Sequence, residues 1–257
     1  MNDVGSLPLA CPKCKGVLSS SPRDFVCSDC GRIYPVVDAI PDFTDEELAK
    51  DPMYKSIKNL EFLAPVYEGK AWTNLVLRSA GAKASSIDSI QGYILGAFRG
   101  LTGLFLDVAC GPATHGRRLA SADRYVIGVD FSMGTLRQGL KNIKRDRVEN
   151  MRLVRAKAEE LPFRNEAFDG LTSTGALHCF PDTPKALAEF ARVLKRDAPV
   201  VVQTFIDGEA PLIRKMKRSS FKVFEVDQLR EYARGARLVD FRYETDGCLI
   251  NFSARKR

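Results

Sequence analysis

The chain has 257 residues, 45% of them hydrophobic and 28% charged, enough for one sizeable α/β domain with a small appendage. No apolar run approaches the ~18 residues of a spanning helix, which excludes that class of membrane protein. The net charge of +7 is spread along the chain and is densest at residues 141–147, 214–218 and 255–257. That distribution fits solvated helix faces and a basic tail better than a nucleic-acid footprint.

Four of the seven cysteines fall in the first 30 residues, as Cys11-x-x-Cys14 and Cys27-x-x-Cys30 with twelve residues between the pairs. Each knuckle lets two thiolates converge from one tight turn, so the spacing predicts one tetrahedral zinc. Four thiolates leave no open position, which makes the metal structural. The few residues ahead of Cys11 leave no room for a signal or transit peptide, so a cytoplasmic location is expected, where disulfides are disfavoured. Residues 32–41 read as a strand ended by Pro41. Residues 1–43 are therefore expected to form a zinc-ribbon-like module too small to fold without its metal.

Residues 44–100 read as linking and lid helices. Thr44 and Glu47 have capping-box spacing. A helical, aromatic stretch then runs through Tyr67 and Trp72 to Arg78, and a second helix is expected over 86–99. Both precede the first long strand, so they can cover a ligand as a lid. Tyr67 and Trp72 could line an acceptor pocket, although aromatic residues at helical spacing more often belong to a core.

The apolar run at 104–108 suits a strand buried on both faces, and Gly111-Pro112 breaks it into a tight turn before a helix expected around 117–120. Small residues at Ala109, Gly111 and Ala113 let the backbone approach a ligand closely. A second buried strand, 125–130, closes on Asp130, 23 residues after Asp107. In doubly wound folds an acid at that place accepts hydrogen bonds from ribose hydroxyls. The dinucleotide fingerprint G-x-G-x-x-G is not met, since residues 109–114 read A-C-G-P-A-T.

Further strands at 151–155, from Phe168 onward and at 199–205 alternate with helices at 134–144 and 185–194, the mark of a mostly parallel sheet with helices on both faces. A helix at 224–234 and an antiparallel hairpin, 238–243 with 248–254, close residues 101–257 as one domain. The fourth strand leads into the segment GALHCFPD, whose His178 would stand at the crevice where open sheets bind ligands.

Residues 107–111 (DVACG), with Asp130 and the later segments KAEELPF and GALHCFPD, resemble the class I S-adenosylmethionine (SAM) methyltransferases. The resemblance implies a Rossmann-like sheet and SAM as cofactor. Asp107 and the turn Ala109, Cys110 and Gly111 would hold the methionine end, with His115 beside them. Asp130 would hold the ribose, followed by Phe131 and Met133, and the adenine would be read by Ala158 and Glu159. Lys157 replaces an acid common in the family, as Ala109 and Ala113 replace glycines. Gly175 would complete the cofactor site, and His178 would stand near the methyl group as a possible base, active with a pKa near 6.5. More narrowly, paired CxxC knuckles followed by IYPVVDAIPDF resemble zinc-module methyltransferases of bacteria and plant plastids.

Methyl transfer to a small, partly apolar acceptor such as a phenol, quinone, lipid or secondary metabolite is the function expected. Two alternatives stand beside it, an rRNA guanine methyltransferase with a zinc module and a non-catalytic SAM- or partner-binding protein. The oligomeric state is not legible in the sequence.

Overall fold

The residues around the cysteine pairs fold into a small antiparallel sheet. In the computed structural model, which describes residues 7–45, 52–58 and 69–257, strands β1 (Leu18–Ser20), β2 (Asp24–Cys27), β3 (Ile33–Val37) and β4 (Ile40–Pro41) pair in that order. Phe25, Tyr34 and Phe43 supply its apolar centre, the Phe43 ring lying 5.7 Å from Phe25 and 5.0 Å from Tyr34.

Three helices follow, α1 (Pro52–Lys58), α2 (Lys70–Ser79) and α3 (Ile87–Ala97). Helix α3 begins where the sequence predicts, because Ser86 and Ser89 form a reciprocal cap: the Ser89 N–H donates to the Ser86 hydroxyl and the Ser86 N–H to the Ser89 hydroxyl. Its buried face is Ile87, Ile90, Gln91 and Ile94. Glu46, Glu47 and Tyr67 lie outside the described residues, so the expected capping box and one of the two expected lid aromatics fall there. Thr44 is described, and it donates its backbone N–H and its hydroxyl to Asp42.

The alternating apolar runs become β5 (Gly103–Val108), β6 (Arg124–Asp130), β7 (Met151–Arg155), β8 (Gly170–Thr174) and β9 (Pro199–Phe205), all parallel, with β10 (Leu238–Asp246) and β11 (Leu249–Lys256) as the closing hairpin. Among the described residues the order is β10-β11-β9-β8-β5-β6-β7, with β11 antiparallel to β9. This is the Rossmann-like sheet that the sequence predicts. Helices cover both faces: α3, α4 (Thr114–Leu119), α5 (Met133–Arg145) and α7 (Pro211–Met216) on one, α6 (Thr183–Val193) and α8 (Val226–Gly235) on the other. The N-terminal sheet packs on the second face, where Phe25, Tyr34 and Phe43 share one core with Phe163 and Leu161.

Three features differ from expectation, the first being that the run expected as one strand over 32–41 turns back at Asp38 and Ala39, both at positive φ, and gives β3 and β4. Helix α4 starts at Thr114 rather than near Arg117, because Ala113 takes a left-handed conformation (φ 65°) that turns the chain straight into the helix. Helix α7, led by Pro211, was not expected in the stretch between β9 and α8. Strand order reverses at β5, whose neighbours are β6 and β8, so their carboxyl ends open a crevice at the switch point.

Candidate active site

The crevice is built on the turn that leaves β5. Ala109, Gly111 and Ala113 all have positive φ (57°, 53° and 65°), so alternate residues sit in the left-handed region. An alanine there costs roughly 1 kcal/mol, strain of the kind stored at functional sites. The turn is held by Asp130 at the end of β6, whose carboxylate accepts the Gly111 N–H and the Ser132 N–H, each at 2.9 Å. Gly128 and Gly116 make this closeness possible: a Cβ on Gly128 would come within 2.8 Å of the Cys110 sulfur, and one on Gly116 within 2.9 Å of Asp107 Oδ2.

Asp107 is 1% exposed, and its carboxyl oxygens have no hydrogen-bond partner of good geometry among the described residues, with only the Gly116 backbone close enough to oppose the rise in its pKa. Burial, reinforced by the negative charge of Asp130, pushes its pKa up to about 7. A buried carboxyl of that kind is poised to accept a cationic donor.

A cavity of about 390 Å³ lies over the turn, within the range of small-molecule sites. Its floor is Ala109, Cys110, Gly111 and Pro112 with Asp130, Phe131 and Ser132, and its far wall is Gly175, Ala176, His178, Gln203 and Phe205. The roof comes from the helices ahead of the sheet: Tyr54 of α1, Trp72 and Val76 of α2, Ile87 and Ile90 of α3. The His178 ring packs 5.0 Å from Phe205 and 5.7 Å from Phe221. Burial pulls its pKa down to about 4, so it is neutral at pH 7. His115, also lowered to about 4 by burial and by the Arg118 charge, lies with Nδ1 2.8 Å from the Gln91 carboxamide oxygen on α3. That bond ties the roof to the floor.

Of the residues expected at a cofactor site, Ala109, Cys110, Gly111, His115, Asp130, Phe131, Gly175 and His178 line this one cavity. Asp107 lies beneath it. Met133, Lys157, Ala158 and Glu159 do not line it. Lys157 pairs with Asp45 at 3.2 Å, and Glu159 accepts the Tyr54 hydroxyl at 2.9 Å, the Tyr54 ring standing 4.5 Å from Phe131. Cys110 and Cys179 both line the cavity. Burial and nearby negative charge push their thiols up, which keeps them protonated and un-nucleophilic. Sequence reasoning missed Tyr54, Gln91, Gln203 and Phe221. Gln203 carried a signal, a polar residue inside the otherwise apolar run of β9.

The four N-terminal thiols converge, as their spacing predicts. All four sulfurs lie within 4.8 Å of one another, with Cys11 and Cys30 at 3.7 Å and Cys14 and Cys27 at 3.4 Å. A tetrahedral zinc–thiolate site has sulfur–sulfur edges of ~3.8 Å, so the donor set fits that metal.

Residues 105–197 match the family model described as a methyltransferase domain. The chain is a SAM-dependent methyltransferase. A chloroplastic uncharacterized methyltransferase of Arabidopsis thaliana is 27% identical over 90% of this chain and 70% of its own length. A demethylmenaquinone methyltransferase of Clavibacter sepedonicus is 34% identical over 43% of this methyltransferase and 44% of that protein. Among solved structures, the Haemonchus contortus phosphoethanolamine N-methyltransferase 2 in complex with SAM superposes with a TM-score of 0.59 at 18% identity, covering 65% of this chain and 52% of that one. The fold of this methyltransferase is thus shared with an enzyme seen holding SAM.

Proposed function

We propose that the chain methylates a small, partly apolar acceptor, a phenol, quinone, lipid or secondary metabolite. The observation that carries this reading is the roof of the cavity, where Trp72, Val76, Ile87 and Ile90 close an apolar space over the Asp130 turn. A relative bearing the name demethylmenaquinone methyltransferase agrees with an apolar acceptor.

In this reading SAM supplies an electrophilic methyl group on a sulfonium sulfur. Asp130 accepts the ribose hydroxyls, and Asp107 with the Ala109–Gly111 turn faces the methionine end. The Phe131 ring offers a face to the adenine. The roof excludes water and holds the acceptor in line, which supplies most of the acceleration. His178, neutral with a pKa of about 4, is a weak base. It orients an acceptor hydroxyl by accepting its hydrogen bond, and it leaves deprotonation to the acceptor's own acidity. Cys11, Cys14, Cys27 and Cys30 hold one structural zinc, so the protein works where thiols stay reduced, as in the cytoplasm. We divide the chain into a zinc module (1–43), linking and lid helices (44–100) and the methyltransferase domain (101–257).

Incubation of the pure protein with methyl-labelled SAM and, in parallel, a lipid and quinone extract, a phenol panel and total RNA tests the reading. Label should appear in an apolar small molecule. Label in RNA would replace this reading with the rRNA one, and label in no fraction would leave a non-catalytic SAM-binding protein.

A further inference from the structure

The thiol cluster does not hang free of the sheet. Leu9 bridges Phe163, the Ala10 N–H donates to the Pro162 carbonyl at 2.9 Å, and the Arg164 N–H to the Pro8 carbonyl at 2.9 Å. Between the first two cysteines stands Lys13, paired with Glu160 and with Asp45, each at 2.8 Å. Just after the knuckle, Lys15 bonds the Leu161 carbonyl at 3.3 Å and Glu189 at 3.0 Å. The first knuckle therefore grips the loop of residues 156–163 from one side. That loop's Glu159 holds the Tyr54 hydroxyl, and Tyr54 packs on Phe131, so both rings of this cavity wall stand on it.

A second route is more direct. At the far end of the N-terminal sheet Asp42 takes a 2.7 Å bond from Arg155 Nη1, while Nε of the same guanidinium donates to the Phe131 carbonyl at 2.8 Å. The Phe43 N–H donates to the Arg155 carbonyl at 2.8 Å. One planar fork thus joins the N-terminal sheet to the backbone that carries Phe131. A lysine would offer a flexible point charge in place of this fixed fork.

We propose that the N-terminal module is a positioning device for the cofactor wall, and that metal occupancy at the four cysteines is coupled to SAM affinity through Arg155 and the Lys13–Glu160 contact. The inference rests on the reading that SAM binds against Phe131 and Asp130. A segment this small is organised by its metal, so emptying the site slackens Asp42 and Lys13 together. Phe131 and Tyr54 then lose the supports that hold their rings in the binding geometry. The coupling is reciprocal: bound SAM should tighten retention of the metal by the same factor. Arg155 and Lys13 are positioning residues, since neither lines the cavity.

The test is a thermodynamic cycle on the full chain. SAM affinity is measured by calorimetry, with and without zinc removal by chelator, for the native protein and for Arg155→Met/Lys13→Ala. Chelation should weaken binding about tenfold in the native protein and less than twofold in the double variant, which keeps the backbone and Lys15 contacts but has lost the two side-chain links through which the coupling runs. An equal factor in both proteins, or no change in the native one, would overturn the proposal. Should the stripped protein unfold, Arg155→Met with its zinc retained decides, because it should bind SAM about fivefold more weakly at unchanged metal content, and native affinity would sink the idea. Hydrogen exchange separates this inference from the SAM reading beneath it. A native protein that fails to bind SAM refutes that reading, whereas chelation that leaves amide protection at residues 131–135 and 156–163 unchanged refutes the coupling alone.

Discussion

At the scale of single residues, two buried groups of the cavity are held away from their ordinary protonation. Asp107 titrates near 7 in the folded chain against an ordinary 3.8. The folded state therefore binds a proton that the unfolded chain has released, and this contribution is fully present below about pH 4 and lost as pH rises to about 7. Asp107→Asn should gain stability over the native protein across that window, by on the order of 3–4 kcal/mol at its upper end in the absence of ligand, while weakening SAM binding. Denaturant melts of both proteins from pH 4 to 8 check this, and a difference that does not change with pH would contradict it. His178 is displaced the other way, to about 4. Against the expectation from its residue type, the acid limb that His178 contributes to activity should fall near pH 4 and not near 6.5, apart from any limb near 7 set by Asp107, which His178 variants leave in place. His178→Asn should keep activity within about tenfold, because an amide can still orient a hydroxyl. A limb near 6.5 that disappears in the variant would restore His178 as the base.

At the scale of elements, the lid is fixed to the sheet by the β10–β11 turn. Backbone N–H groups of Lys83, Ala84 and Ser85 converge on the Asp246 carboxylate at 2.8, 2.8 and 2.6 Å. Although its partial burial acts to raise it, these bonds hold Asp246 at about 2. Gly247 (φ 61°) lies so close to Gly81 that a Cβ would stand within 2.4 Å of the Gly81 backbone. Gly247→Ala should therefore displace the joint between α2 and α3, costing about 1–3 kcal/mol and raising the acceptor KM more than it lowers kcat. Exchange protection across residues 80–97 reports the displacement, and native protection there would count against a lid anchored at this turn. The parts of the site that were legible in the sequence are those that one local segment builds. The 107–111 turn and Asp130 show in their spacing, and the cysteine knuckles in theirs. Tyr54 and Phe221 enter the cavity, and Gln91 reaches His115 at its edge, only because helices and a loop far apart in the chain fold over the crevice, and no local pattern marks them. Helix α4 begins earlier than the local sequence suggests because Ala113 takes a left-handed turn that favours glycine, and nothing in an alanine marks it.

At the scale of the whole molecule, the roof helices close over the carboxyl ends of the central strands around one cavity, and the N-terminal sheet braces the loop and strand beside it. Elemental analysis should find one zinc per chain, and Cys27→Ser should release it and open residues 7–43 to protease, since three thiolates do not close the tetrahedron. An equally resistant N-terminus without metal would contradict that. The most direct test of the central claim is a calorimetric titration of SAM into the native protein and into Asp130→Ala. Micromolar-range binding to the native chain, weakened by ~1–3 kcal/mol in the variant, is the predicted result. No heat of binding to the native protein, or an affinity unchanged by loss of the Asp130 carboxylate, would contradict it.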